Sequence, residues 1–229
     1  MSVQMFNKIN MDKVGFNEPT KNSYGGKMSK VSYDNKWPLV QTPLLKCPFG
    51  LSEYQGNDES SKTYSMDLSI DTEETKQNDF LNFLKDLEEK LVEHVSENSE
   101  EWIDTADAPK EVCKALLRPV IKHSRDKSTK KIDNKYPPRI KIAVPFYEEK
   151  MKCKVFKKTN DTDFIELNTL EEVKDNLNNS LVKAIIRYDK ITFNGGKYGF
   201  KFTLQQLFIE KCFSNNNLLD SMAFIEDDD

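Results

Sequence analysis

The sequence predicts a mainly β fold with inserted helices, a small barrel or sandwich of strands with one long helix packed on it. Three observations lead there. Strict alternation of apolar and polar residues recurs, as in Arg139-Ile140-Lys141-Ile142-Ala143-Val144, and a period of two marks a half-buried strand. Near the end, two such runs flank Asn194-Gly195-Gly196, a hairpin signature. One segment alone, Asn78 to Ser96, carries apolar residues (Phe80, Leu84, Leu87, Leu91, Val95) at the three- and four-residue spacing of a long helix.

Composition sets the outer limits. The chain has 229 residues, 37% hydrophobic and 31% charged, enough for one large domain or two small ones with a real core. No apolar run approaches the roughly 20 residues that cross a bilayer, so no membrane partner is expected. Met1 to Met11 lacks the apolar stretch of a signal peptide. Cys47, Cys113, Cys153 and Cys212 are far apart, without a CxxC pair, which points to reduced thiols in an intracellular compartment.

Taken in order, residues 1–30 are polar, with Gly25-Gly26, and read as a flexible N-terminal arm. Lys36 to Leu45 contains Pro38 and Pro43, which suit an edge or irregular strand. Tyr64 to Ile70 alternates as a strand. In the helix that follows, Asn78 is the expected N-cap. Glu97 to Asp107 reads as an acidic loop pinned by Trp102, with a short helical turn after Pro109 and an extended Arg118 to Lys122. Ser124 to Lys135 is charged and flexible in character. Two basic strands come next: Arg139 to Val144, and Lys150 to Val155 with Met151, Cys153 and Val155 inward. Thr169 and Glu172 have the spacing of a capping box for a short helix ending near Asn178. The closing hairpin runs Leu181 to Phe193 and Lys197 to Ile209. The main domain is placed at 31–213 and an acidic tail at 214–229. Glycines and prolines at the strand corners fit a five-stranded barrel as well as a sandwich.

Charge is strongly segregated along the chain. Glu53 to Asp107 carries seventeen acids against four lysines, while Lys110 to Lys158 carries sixteen Lys and Arg against five acids. The overall balance is −4. A basic block interleaved with aromatics, beside an acidic terminus, is the pattern of a surface for a polyanion. Candidate cations are Lys36, Arg118, Lys122, Arg139, Lys141, Lys150, Lys152, Lys154, Lys197 and Lys201, and candidate stacking rings are Trp37, Tyr136, Phe146 and Tyr147. Taken singly, such lysines also serve to keep a strand edge soluble, and such rings serve as core.

Catalytic signatures are missing. Gly195-Gly196-Lys197-Tyr198-Gly199 joins two strands, whereas a phosphate-binding P-loop joins a strand to a helix. GxSxG, HExxH and zinc-deaminase patterns do not occur. Adjacent acid pairs such as Glu88-Glu89 diverge in direction and read as solvated surface. His94 and His123 are the only histidines. The chain is therefore read as a non-enzymatic binding protein with no cofactor and no metal. The tail places Phe224 and Ile225 before Glu226, Asp227, Asp228 and Asp229, an arrangement able to occupy a cationic groove or to enter a partner's pocket.

Lys36-Trp37-Pro38-Leu39-Val40-Gln41-Thr42-Pro43, Pro48-Phe49-Gly50, Pro138 to Pro145, Gly195 to Phe202 and the acidic tail together resemble one known family. It comprises the acidic-tailed single-stranded-DNA-binding proteins of short-tailed phages and, more closely similar, their relatives in large nucleocytoplasmic DNA viruses of algae and protists. The resemblance implies an OB-fold-like five-stranded barrel that coats single-stranded DNA in replication, recombination or repair. It also implies an acidic tail that competes with DNA and recruits a DNA polymerase or helicase, a homodimer, and a place in the host cytoplasm or nucleus at viral replication sites. Here Phe224 is internal and the last residue is Asp229, whereas the phage tail usually ends on an aromatic. The alternative is a virion or scaffold protein that uses its charged faces for protein contacts.

Overall fold

The computed structural model describes residues 3–21, 26–56, 62–148 and 150–213. At its centre five strands close a ring. They are β1 (Leu45–Cys47), β2 (Lys62–Ser69), β3 (Arg139–Val144), β4 (Ser180–Asn194) and β5 (Lys197–Cys212). Antiparallel pairs join β1 to β2, β2 to β3, β4 to β5 and β4 to β1. The ring closes through a parallel seam between β3 and β5. This is an OB-fold-like barrel rather than a sandwich.

Alternation builds its interior. Ile140 and Ile142 on β3, Met66 and Leu68 on β2, and Val182, Ala184 and Ile186 on β4 are fully buried, while their neighbours point outward. The β4–β5 hairpin turns on Gly195 and Gly196, with φ of 59° and 72°, the left-handed conformations that a two-residue hairpin loop requires.

α1 (Thr75–Glu97), α2 (Ser99–Ile103) and α3 (Lys110–Leu116) lie between β2 and β3 in the chain, and α4 (Leu170–Leu177) precedes β4. α1 buries the predicted stripe of Phe80, Leu84, Leu87, Leu91 and Val95. It starts one turn before Asn78. Glu74 is the N-cap, accepting the Gln77 N–H at 2.8 Å, and Gln77 reaches back to the Asp71 N–H at 2.7 Å. Those first residues are polar on every side, so an apolar period cannot reveal them. The capping box of α4 forms as its spacing predicts, from Thr169 and Glu172.

Three segments depart from the reading above. Residues 3–21 and 26–33 are laid on the domain instead of forming a loose arm. Gln4–Met5 pairs with Val40-Gln41, Val14–Phe16 pairs with Val31 to Tyr33, and Phe6 packs edge-on against Phe80 at 5.4 Å between centroids. Few β-branched residues mark this stretch, but Phe6, Val14 and Val31 are buried. The acidic Glu97 to Asp107 holds α2, whose Trp102 is buried against His94 and Phe16. Finally, Lys150 to Val155 is not one strand. Lys150–Met151 pairs with Phe146–Tyr147 in a separate two-stranded sheet, and a new strand, Lys154–Lys158, begins alongside β5.

Candidate nucleic-acid interface

The seam of the barrel creates the site. β3 and β5 meet at one aligned pair, Ala143 opposite Thr203. Before that point the chain from Leu117 to Lys122 is inserted between the two strands. Leu117 bridges to Tyr198, the Arg118 N–H donates to the Tyr198 carbonyl at 2.7 Å, and Ile121-Lys122 pair with Ile140 and Arg139. A groove of about 350 Å³ opens over this junction. Its walls carry Arg118, Lys122, Lys141 and Lys201, with Ser65, Ala143, Thr192 and Phe200, and the buried Phe202 lies beneath.

Register explains why these cations converge. Paired residues project from the same side of a sheet. Ser65, Ala143, Thr203 and Arg187 therefore form one row across β2, β3, β5 and β4. Two residues along, Lys141 stands opposite Asp67 on one side of the seam and Lys201 opposite Lys190 on the other, and both line the groove. Among the described residues, no ion pair engages Lys122, Lys141 or Lys201, all of which are exposed. Asp67, the acid nearest to Lys141 in register, is taken by Arg139 at 3.1 Å. The face keeps a surplus of positive charge.

Arg118 is a wall rather than a free contact. Its Nη2 donates to the Thr192 carbonyl at 2.6 Å and the Thr192 hydroxyl at 2.7 Å. The backbone crosses over Gly199 so closely that a Cβ there would lie 2.7 Å from the Arg118 carbonyl oxygen. The wall is fixed from the helix side as well, because the Glu88 carboxylate of α1 accepts the Val120 N–H.

Two arginines at the margins carry exposed rings. The Arg139 guanidinium lies 5.2 Å from the centroid of Phe49, and the Arg187 guanidinium lies 4.9 Å from that of Trp37. Phe49 and Trp37 are 60% and 55% exposed. Each ring is pinned on one face by a cation while its edge and other face stay open to stacking.

The remaining predicted residues lie elsewhere. Lys36 is exposed in the Tyr33 to Lys36 turn, and Lys197 at the hairpin tip. Tyr136 is exposed in the loop before β3, with the Lys135 amine over its ring at 5.6 Å. Tyr147 and Lys150 belong to the small separate sheet. Phe146 is half-buried and packs edge-on against Tyr64 at 4.8 Å, so it serves the core. Lys152 pairs with Glu148 and Lys154 with Glu166. Phe224 to Asp229 fall outside the described residues. Phe49, Phe200 and Arg187 are not among the site residues read from the sequence, although Phe49 and Phe200 belong to the segments that carry the resemblance. Arg187 sits on the outward positions of an alternating run, and that alternation was the available signal. No cluster of three metal-ligating side chains occurs among the described residues.

No protein-family model matches the sequence, and comparison with curated proteins gives no match. Among solved structures the chain is similar to the single-stranded DNA-binding protein of bacteriophage Enc34 in complex with single-stranded DNA. The TM-score is 0.48 with 17% identity, covering 86% of this chain and 97% of that one. It is also similar to the single-stranded DNA-binding protein encoded by bacteriophage T7, with a TM-score of 0.42 and 13% identity over 83% of this chain and 98% of that one.

Proposed function

We propose that this protein binds single-stranded DNA along the outer face of β2, β3 and β5, with phosphates at the groove lysines and bases on the flanking rings. The observation that carries this reading is the groove over the seam, where Lys122, Lys141 and Lys201 converge without an acid partner and the exposed rings of Phe49 and Trp37 stand at the margins. A sequence-tolerant binder needs these two ingredients, a cationic track and aromatic platforms, and each stacked base is worth ~1–3 kcal/mol. A duplex offers phosphates but no open base faces, so the rings favour the unpaired form.

The role is binding without chemistry. It extends to coating DNA in replication, recombination or repair. Residues Phe224 to Asp229 act as a competitor for the groove and as a handle for a polymerase or helicase, a reading supported by their sequence, a ring and an aliphatic residue followed by four acids. The test is titration of oligo-dT at several salt concentrations, for the full chain and for one ending at Asn217. Binding is expected to weaken with salt by a log–log slope of roughly −0.7 per neutralised phosphate, and removal of the tail is expected to tighten it. A flat salt response would overturn the reading and favour a scaffold protein with charged faces for protein contacts.

A further inference from the structure

The outer face of β5 continues past the groove, and the register follows it. Beyond the Arg187–Thr203 row, Ile185 pairs with Gln206 and Gln206 with Lys154. Next, Lys183 pairs with Phe208 and Phe208 with Phe156. Between these strands lies a second cleft of about 260 Å³, with Phe156, Phe208, Lys183 and Gln206 in its walls. Phe164, 59% exposed, stands edge-on to Phe156 at 5.5 Å and to Phe208 at 6.3 Å.

Cations recur along this face: Lys141 and Lys201 on either side of the groove, then Arg187, which is held by Asp189 at 3.0 Å, then Lys154, then Lys183. Along β5 the rows stand at Lys201, Thr203, Gln206 and Phe208, two or three residues or about 7–10 Å apart, a spacing on the scale of one to two extended nucleotides. Lys154 and Lys183 meet Glu166 at 3.5 Å and Glu210 at 3.7 Å, and both ammonium groups are well exposed. Such long, solvated pairs hold their partners weakly, so a phosphate can replace the carboxylate. Trp37, over Arg187, stands between the groove and the cleft.

Resting on the reading that the groove takes single-stranded DNA, we propose that the strand runs on past Trp37 into this cleft. There the Phe156, Phe164 and Phe208 cluster is a second stacking subsite for unpaired bases. The binding surface then spans Lys201 to Phe208 on β5, roughly 23 Å of strand, instead of the groove alone.

Oligo-dT of about 4 and about 12 nucleotides separates the subsites, since a single OB-type fold occupies on the order of 4–16. Phe164→Ala, at an exposed ring, is expected to weaken the longer oligonucleotide roughly tenfold and to leave the shorter one unchanged. Lys201→Ala is expected to weaken both. Lys183→Ala provides a second variant, lowering the salt slope of the longer oligonucleotide alone by about 0.7. If both cleft variants bind the longer oligonucleotide like the parent while Lys201→Ala weakens it, the cleft lies off the path and only this inference falls. A parent protein that binds neither oligonucleotide removes the underlying reading as well. Sedimentation in which Phe164→Ala abolishes self-association without altering DNA affinity overturns the inference in favour of a contact between two copies.

Discussion

The Glu88 carboxylate on α1 accepts the Val120 N–H at 2.5 Å, tying the longest helix directly to the groove wall. Burial holds this carboxyl above its ordinary pKa, the Val120 hydrogen bond and Lys114 opposing the shift. A carboxyl raised in the folded state favours folding more as pH falls through that raised value towards the ordinary one. Glu88→Gln removes this term. The stability of the parent relative to Glu88→Gln is thus expected to rise as pH drops through the upper carboxylate range, read by urea melts at several pH values. Glu88→Ala, which strands the Val120 N–H, is expected to cost ~1–3 kcal/mol and to weaken oligo-dT binding.

Gly199 is needed for the crossing of Arg118. Its added methyl would meet a carbonyl oxygen of the backbone, which cannot swing aside as a side chain does. Gly199→Ala is expected to cost about 1–3 kcal/mol, the range for forced overpacking. Because Arg118 must move, affinity for oligo-dT is expected to fall in the same variant. A thermal melt and a binding titration check the two effects separately.

Tryptophan emission offers a direct view of the site. The chain has two tryptophans, Trp37 at 55% exposure and Trp102 at 1%. Oligo-dT is expected to quench the emission by stacking on Trp37, and Trp37→Phe is expected to abolish the quench while Trp102 still reports the fold. Quenching that persists in Trp37→Phe would place the contact elsewhere.

The N-terminal residues are part of the domain by the same physical criteria as the barrel. Phe6→Ala removes a ring packed against Phe80 and Phe83 and is expected to cost roughly 3–5 kcal/mol, measured by chemical denaturation. A loose arm would give no change.

Much of the barrel was legible because alternation is a local property. Ile140, Ile142 and Val144 declare the inner face of β3, and Asn194-Gly195-Gly196 declares the hairpin. The grouping of the cations was only half visible. Lys122, Lys141 and Lys201 belong to three separate segments, and their neighbourhood follows from pairing register across the seam, which no single segment encodes. Lys150, Lys152 and Lys154 looked equivalent to them in sequence. The bend at Lys152-Cys153 instead turned the first into a side hairpin and the last towards the far end of β5. Phe146 illustrates the other limit, since ring type alone does not tell a platform from a core residue and only Tyr64 beside it decides.

Closure of the ring depends on the last two barrel strands to be synthesised. β1 has to wait for β4, which begins at Ser180, and β3 for Thr203. On the ribosome, the apolar sides of β1, β2 and β3 therefore emerge well before their closing partners exist. So long a wait favours folding late relative to translation, and it leaves α1, complete before β3, as the early cover for those strands.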